Sequence, residues 1–291
     1  MSKRYIVLCG LPRSGSTVLA SLLSQNPAIY ASPNSPLVEL LVNVNRHLGK
    51  TEQARAFMQP TQVDDVLRHV MEGFYAFTDR PIVVDKSRAW PNPENLDLLE
   101  RITDAPVTCI VMVRDLSAVV ASFLRKIHEN PEQVSFIDKA LKQAGRPCTD
   151  AERAEWFLAP GGTIYESWHS LQQGYASPWR QAMHFVEYDD LMNSPESTLH
   201  QLYDAIDEPY YEHDLNAIEN STPEDDTVYG IPGLHEVRPQ LQATAPDPRS
   251  ILSPELYTHC QATPHFWRTP QTVPAVSHTR NNPLHLSSKP R

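Results

Sequence analysis

The stretch Tyr5-Ile-Val-Leu-Cys9, followed at once by Gly10-Leu-Pro-Arg-Ser-Gly-Ser-Thr17, restricts the fold of this chain more than any other. Tyr5–Cys9 is apolar, rich in β-formers and free of polar alternation, the pattern of a strand covered on both faces. The glycines permit a tight turn, and Thr17–Leu23 then places apolar residues at helical spacing. Strand, tight loop and helix in this order open a βαβ unit, with the first strand central in a parallel sheet. The N–H groups of such a loop, with the positive end of the helix behind them, form an anion site that a phosphate fills naturally.

The alternation continues along the chain. Leu37–Leu48, Thr61–Phe77 and Glu94–Ile102 carry helical patterns, and Pro81–Asp85 and Val107–Val113 read as second and third strands. Asp115–Lys126 is a further helix, Ala151–Gln172 a long one that Pro160-Gly-Gly162 interrupts, Met183–Tyr188 a fourth strand, and Ser194–Ile206 a helix. The expected fold is α/β, a phosphate-loop-type parallel sheet flanked by helices, with ligands off the carboxyl ends of the strands. From about Thr222 prolines are dense and no period emerges, so that region is expected to be loop-rich. Residues 1–270 are expected to form one domain and 271–291 a tail or arm.

Charge narrows the partners. With 25 Lys+Arg against 35 Asp+Glu the net charge is −10, which disfavours nucleic acid and anionic membranes and requires a local basic pocket for any anionic ligand. The N-terminus carries neither a signal-peptide pattern nor a membrane-spanning run. The four cysteines, Cys9, Cys109, Cys148 and Cys260, lack metal-site or disulfide spacing. A cytoplasmic protein with reduced thiols and no metal is the expectation.

In the phosphate loop of ATP- and GTP-using enzymes a lysine precedes the last Ser/Thr; here Ser16 stands in its place, and the loop's cation is Arg13. A nucleoside triphosphatase needs that lysine and magnesium against a highly charged transition state. A transferring sulfuryl group carries less charge, so fixed cations and amide dipoles suffice. A second anion site follows: the third strand ends in Arg114-Asp115, and two helical turns on, Ser122 faces the same side, so a guanidinium and a hydroxyl converge on one phosphate. Lys86, directly after the second strand, stands at the same edge, where a cation neutralises the bridging oxygen of a breaking bond. Read singly, Arg114 and Lys86 have a plainer role as surface cations, and Ser122 as a helix-face hydroxyl.

Pro12-Arg-Ser-Gly-Ser-Thr17 resembles the 5′-phosphosulfate loop of the sulfotransferase superfamily that depends on 3′-phosphoadenosine 5′-phosphosulfate (PAPS), nearest to the tyrosylprotein-sulfotransferase-like branch with bacterial and viral members. The resemblance covers residues 5–26, 81–87 and 107–126, and more weakly 183–206. It implies PAPS as cofactor, held at its 5′-phosphosulfate by Arg13, Ser14, Gly15, Ser16, Thr17 and Lys86 and at its 3′-phosphate by Arg114 and Ser122. Tyr188, in Tyr188-Asp-Asp-Leu191, would contact the adenine, and Lys86 would act as acid or leaving-group stabiliser. The sulfuryl group would pass to a hydroxyl or amine of a small-molecule, glycan, lipid or peptide acceptor, releasing adenosine 3′,5′-bisphosphate.

The pattern departs from the family at the general base. The position that holds a catalytic glutamate in the tyrosylprotein enzymes falls near Asn34, which accepts no proton at neutral pH, so peptidyl tyrosine is not the expected acceptor. Glu39, a helical turn beyond, is the first candidate base. His235 is the second, in Gly230-Ile-Pro-Gly-Leu-His-Glu-Val-Arg238, a segment expected to cap the cofactor. Two other readings stay open: a small-molecule kinase with a degenerate loop, and a non-catalytic binder of adenosine bisphosphate.

Overall fold

The computed structural model describes residues 3–220, 222–242 and 247–268; the expected tail at 271–291 lies outside the described residues. Strand β1 spans Arg4–Gly10 and helix α1 Ser16–Leu23. Strand β2 (Ile29–Asn34) precedes α2 (Leu37–Lys50), α3 (Glu52–Phe57) and α4 (Pro60–Phe74), and β3 (Ile82–Lys86) precedes α5 (Pro93–Thr103). After β4 (Cys109–Val113) come α6 (Leu116–His128), α7 (Phe136–Gln143), α8 (Asp150–Leu158) and α9 (Thr163–Tyr175). After β5 (Met183–Glu187) come α10 (Tyr188–Asn193), α11 (Pro195–Ala205) and α12 (Pro254–Ala262). The strands form one parallel sheet in the order β2-β3-β1-β4-β5, which puts β1 at the centre, as the sequence predicts.

The central strands are apolar throughout because both of their faces are covered. Val7 and Cys9 of β1 join Val111 and Val113 of β4 in one core cluster, while Ile6 and Leu8 join Ile110 and Met112 in the other. Each fully buried aliphatic side chain contributes roughly 1.5–3 kcal/mol relative to exposure. Where β1 leaves the sheet, a Cβ on Gly10 would lie 2.0 Å from the Met112 carbonyl oxygen, so no other residue fits without moving β4.

Helices α3 and α7 have no counterpart in the sequence pattern, and the helix expected over Ala151–Gln172 is split into α8 and α9 around Pro160-Gly-Gly162. Three other elements that differ from expectation bear on the site or its surroundings. Strand β2 escapes the sequence pattern because Ile-Tyr-Ala-Ser-Pro-Asn ends in poor strand formers; Pro33 is accommodated because β2 is an edge strand whose register shifts between Ala31 and Asn34. Its presence sets Asn34 beside Lys86 at the carboxyl edge. The fourth expected strand stops at Glu187, and Tyr188 instead begins α10. Helix α12 lies in the region expected to be loop, and the turn that follows it supplies Phe266 and Trp267 to an aromatic cluster with Trp168, Tyr175 and Phe185 beside β5. Among the described residues no helix is long and apolar enough to cross a membrane.

His213 is buried among Tyr203, Tyr210 and Tyr211. Burial lowers its pKa from the ordinary 6.5, with the Leu22 backbone opposing. The folded state therefore holds the imidazole neutral while the unfolded chain takes up a proton below about pH 6.5, so this site subtracts stability as pH falls from there to the folded pKa. Thermal midpoints recorded between pH 7.5 and 5 should fall more steeply in the native protein than in His213→Phe.

Candidate active site

A cavity of about 620 Å³ opens at the carboxyl edges of β1, β3 and β4, between the loop after β1, helix α6 and the segment around residues 229–242. The loop is held in an unusual backbone shape: Arg13 and Gly15 both have positive φ, +60° and +91°. Such a conformation is uncommon for a residue with a side chain and concentrates at ligand-binding turns. Helix α1 starts without a side-chain cap, which leaves its first N–H groups free for an anion. Gly15, Ser16 and Thr17 line the cavity. Ser14 does not; its hydroxyl is fully buried and donates to the Leu11 carbonyl at 2.6 Å, bracing the turn from behind.

The β4–α6 junction builds the second grip. Asp115 caps α6 by accepting from the Ser117 and Ala118 amides at 2.8 and 3.2 Å, which fixes the helix so that Ser122 faces the loop. Arg114 donates to the Arg13 carbonyl at 3.1 Å and lies 3.8 Å over the Tyr188 ring. Tyr188 in turn packs on the loop, since a Cβ on Gly15 would sit 2.9 Å from its Cδ2. The Arg13 guanidinium donates to the Leu234 carbonyl and to Ser122 Oγ at 3.2 Å, a contact with α6 that the sequence did not indicate. Left-handed Arg13 throws its side chain across the cavity toward α6.

Three guanidinium groups thus share one region. Burial, with Arg114 and Arg125 nearby, lowers Arg13 to about 10, which leaves it cationic at neutral pH. Burial also lowers Arg114, with Tyr188 and Asp189 opposing. Arg114 Nε is buried and lacks a hydrogen-bond partner among the described residues, and the buried Arg125 Nε has Glu129 only at ion-pair distance, 3.6 Å. A buried orphan donor amid like charge fits a multiply charged anion as occupant.

A polar network lies at the end of the cavity near β2 and β3. Lys86, 3% exposed, donates to Thr17 Oγ1 at 3.2 Å and pairs with Glu224 at 3.3 Å. Asn34 donates from its backbone and side chain to Glu224 at 3.0 and 2.9 Å, and its side-chain nitrogen also lies 3.0 Å from His235 Nε2. His235 Nδ1 is 2.6 Å from Asp226 Oδ1, and its backbone N–H donates to Asp226 Oδ2 at 2.7 Å. These contacts assign the Nδ1–H tautomer, with Nε2 as the acceptor facing Asn34. Burial lowers the His235 pKa despite Glu224 and Asp226, so the imidazole is a neutral base at pH 7. Burial likewise lowers Lys86 against the pull of Glu224. Burial pushes Glu224 upward, but Lys86, the Asn34 amide and His235 hold its carboxyl below the usual range.

The structure therefore gathers Arg13, Gly15, Ser16, Thr17, Lys86, Arg114, Ser122, Tyr188 and His235 around one cavity. Glu39 is not among them: it is exposed on α2 and does not line the cavity, because the buried face of α2 is the one bearing Leu37, Val38 and Leu41. Sequence reasoning missed Glu224 and Asp226. Pro223-Glu-Asp-Asp226 reads as a solvated acidic turn, and nothing in its spacing marks two of those acids as partners of Lys86 and His235.

The family model described as "Sulfotransferase family" matches residues 6–212, more than half of the chain. No curated protein matches its sequence. Among solved structures, the sulfotransferase domain of the Synechococcus PCC 7002 olefin synthase aligns at 19% identity with a TM-score of 0.50, covering 89% of this chain and 94% of that one. Retinol dehydratase, in complex with androsterone and the inactive cofactor PAP, aligns at 12% identity with a TM-score of 0.50, covering 90% and 79%. At these identities the likeness is one of fold.

Proposed function

Because the chain belongs to the sulfotransferase family, we propose that it moves the sulfuryl group of PAPS to an acceptor hydroxyl or amine and releases adenosine 3′,5′-bisphosphate (PAP). The observation that carries this reading is the meeting of two anion grips in one cavity: Arg114 reaches the loop at 3.1 Å, and the loop's Arg13 reaches Ser122 at 3.2 Å. A nucleotide with phosphates at both ends fits such a pair; ATP, with no 3′-phosphate, leaves the second grip unfilled.

In this reading the amides of Gly15–Thr17 and Lys86 hold the 5′-phosphosulfate, Arg114, Ser122 and Arg13 hold the 3′-phosphate, and Tyr188 lies toward the adenine. When bound, PAPS supplies an activated sulfuryl group. His235 takes the acceptor's proton on Nε2, Asp226 holds the ring in the required tautomer, and Asn34 donates to Nε2 until the acceptor replaces it. Lys86 stabilises the charge left on the bridging oxygen. Glu224 keeps that buried ammonium paired. A cytoplasmic setting with reduced thiols belongs to the same proposal, resting on four cysteines whose spacing marks neither a metal site nor a disulfide framework.

PAP should bind more tightly than ADP in calorimetry; equal affinities would discredit PAPS as donor and restore the kinase reading. Transfer of labelled sulfate to a panel of alcohols, amines, glycans and peptides tests turnover, and inactivity throughout would favour a binder. Arg114→Ala should weaken PAP by roughly 1.5–3 kcal/mol, the range for charge-assisted hydrogen bonds. An unchanged affinity would remove Arg114 from the site.

A further inference from the structure

The two grips account for Arg13, Lys86 and Arg114, but not for Arg88. It stands two residues past Lys86, lines the same cavity and is exposed there. The sheet order places it on the acceptor side: a nucleotide stretched from the β1 loop to β4 leaves the β3 and β2 edge open. Among the described residues Arg88 forms no hydrogen bond or ion pair, although Glu224 and Glu39 lie near enough to act on it electrostatically. Tyr229 and Phe136 line the cavity with it, their rings 6.4 Å apart, and Tyr229 is 5.9 Å from the His235 ring.

A base bordered by Glu224 and Asp226 repels a negatively charged acceptor unless a cation compensates. Arg88 is a cation in position to do so, in a cavity that the Tyr229 and Phe136 rings line at 70° to each other. We infer that the acceptor carries an anionic group close to its accepting hydroxyl, on a flat apolar body, and that Arg88 anchors that group while Tyr229 and Phe136 bound the body. A guanidinium suits a carboxylate, sulfate or phosphate equally, through paired N–H donors. This assignment rests on the sulfotransferase reading and deepens it by naming the acceptor class.

The test uses the full chain saturated with PAP, so that both grips are filled. Calorimetric titration with 3-hydroxybenzoate, whose carboxylate lies close to its phenol hydroxyl, and with its neutral amide should favour the acid by roughly tenfold or more. Arg88→Gln should abolish that preference and leave PAP affinity unchanged, whereas Arg88→Lys should retain part of it. Equal binding of acid and amide, no binding of either, or a preference that survives Arg88→Gln would overturn the assignment while leaving the donor site intact. If Arg88 acts on the transferring sulfuryl group instead, Arg88→Gln will slow turnover of both phenols alike without changing their relative affinity, which also overturns it. Failure of PAP itself to bind would bring down the sulfotransferase reading and this assignment together.

Discussion

His235→Gln should lower turnover by about 10²–10⁴-fold, the contribution of a positioned general base, while PAP binding stays within a few-fold of native. His235 lines the cavity, and its Nδ1–H is committed to Asp226 at 2.6 Å, which leaves Nε2 to receive a proton. The sign of the pH dependence follows. Burial holds the folded pKa below the ordinary 6.5, so the neutral, active form persists through neutral pH, and kcat/KM should decline only as pH falls toward that depressed value. In His235→Gln the acid limb should disappear. Asp226→Asn should also slow turnover, because it no longer enforces the Nδ1–H tautomer. Native-like turnover in His235→Gln would exclude the imidazole as base and return attention to Glu224.

Lys86→Met should reduce kcat by about 10²–10³-fold, comparable to removal of one preorganised donor from a developing charge. The ammonium is 3% exposed and held by Thr17 and Glu224 at 3.2 and 3.3 Å, so little water replaces it when it is lost. Burial lowers its pKa from the ordinary 10.5, so native activity should decline on the alkaline side earlier than a solvent lysine would allow. Glu224→Gln removes the opposing charge and should shift that limb further down. Because Lys86→Met leaves Glu224 buried without its counterion, its Tm should fall as well. Lys86→Arg, which keeps the charge, separates the two effects: a stable but slow arginine variant supports a role at the leaving oxygen, and full activity in either variant would exclude it.

How much of this was legible in the chain depended on distance along it. Arg114, Ser122, Lys86 and the Gly10–Thr17 loop each sit at a strand-to-helix junction, where a few residues of local pattern determine both the element and the edge it reaches. Glu39 failed for a local reason of another kind: the spacing that made it one turn beyond Asn34 also put it on the face of α2 opposite Leu37, Val38 and Leu41, and that apolar face turns inward. Arg13 was recognised as the loop's cation, but its contact with Ser122 was not, because the positive φ at that position has no signature in the residue itself.

The chain alone was enough to give the parallel α/β sheet and the positions of the Gly10–Thr17 loop, Lys86, Arg114 and Ser122 at its carboxyl edge, since continuous apolar strands and junction residues express short-range sterics and burial. Tertiary structure decided which groups surround Lys86 and His235. Asn34 and His235 are 201 residues apart and meet only because the edge strand β2 pairs with β3 while the segment bearing Glu224, Asp226 and His235 folds back over it. Beyond residue 212 the family match ends, and Glu224, Asp226 and His235 lie past that point. A carboxylate's role as counterion or orienter is a property of the space around it, which packing creates and a linear pattern does not contain.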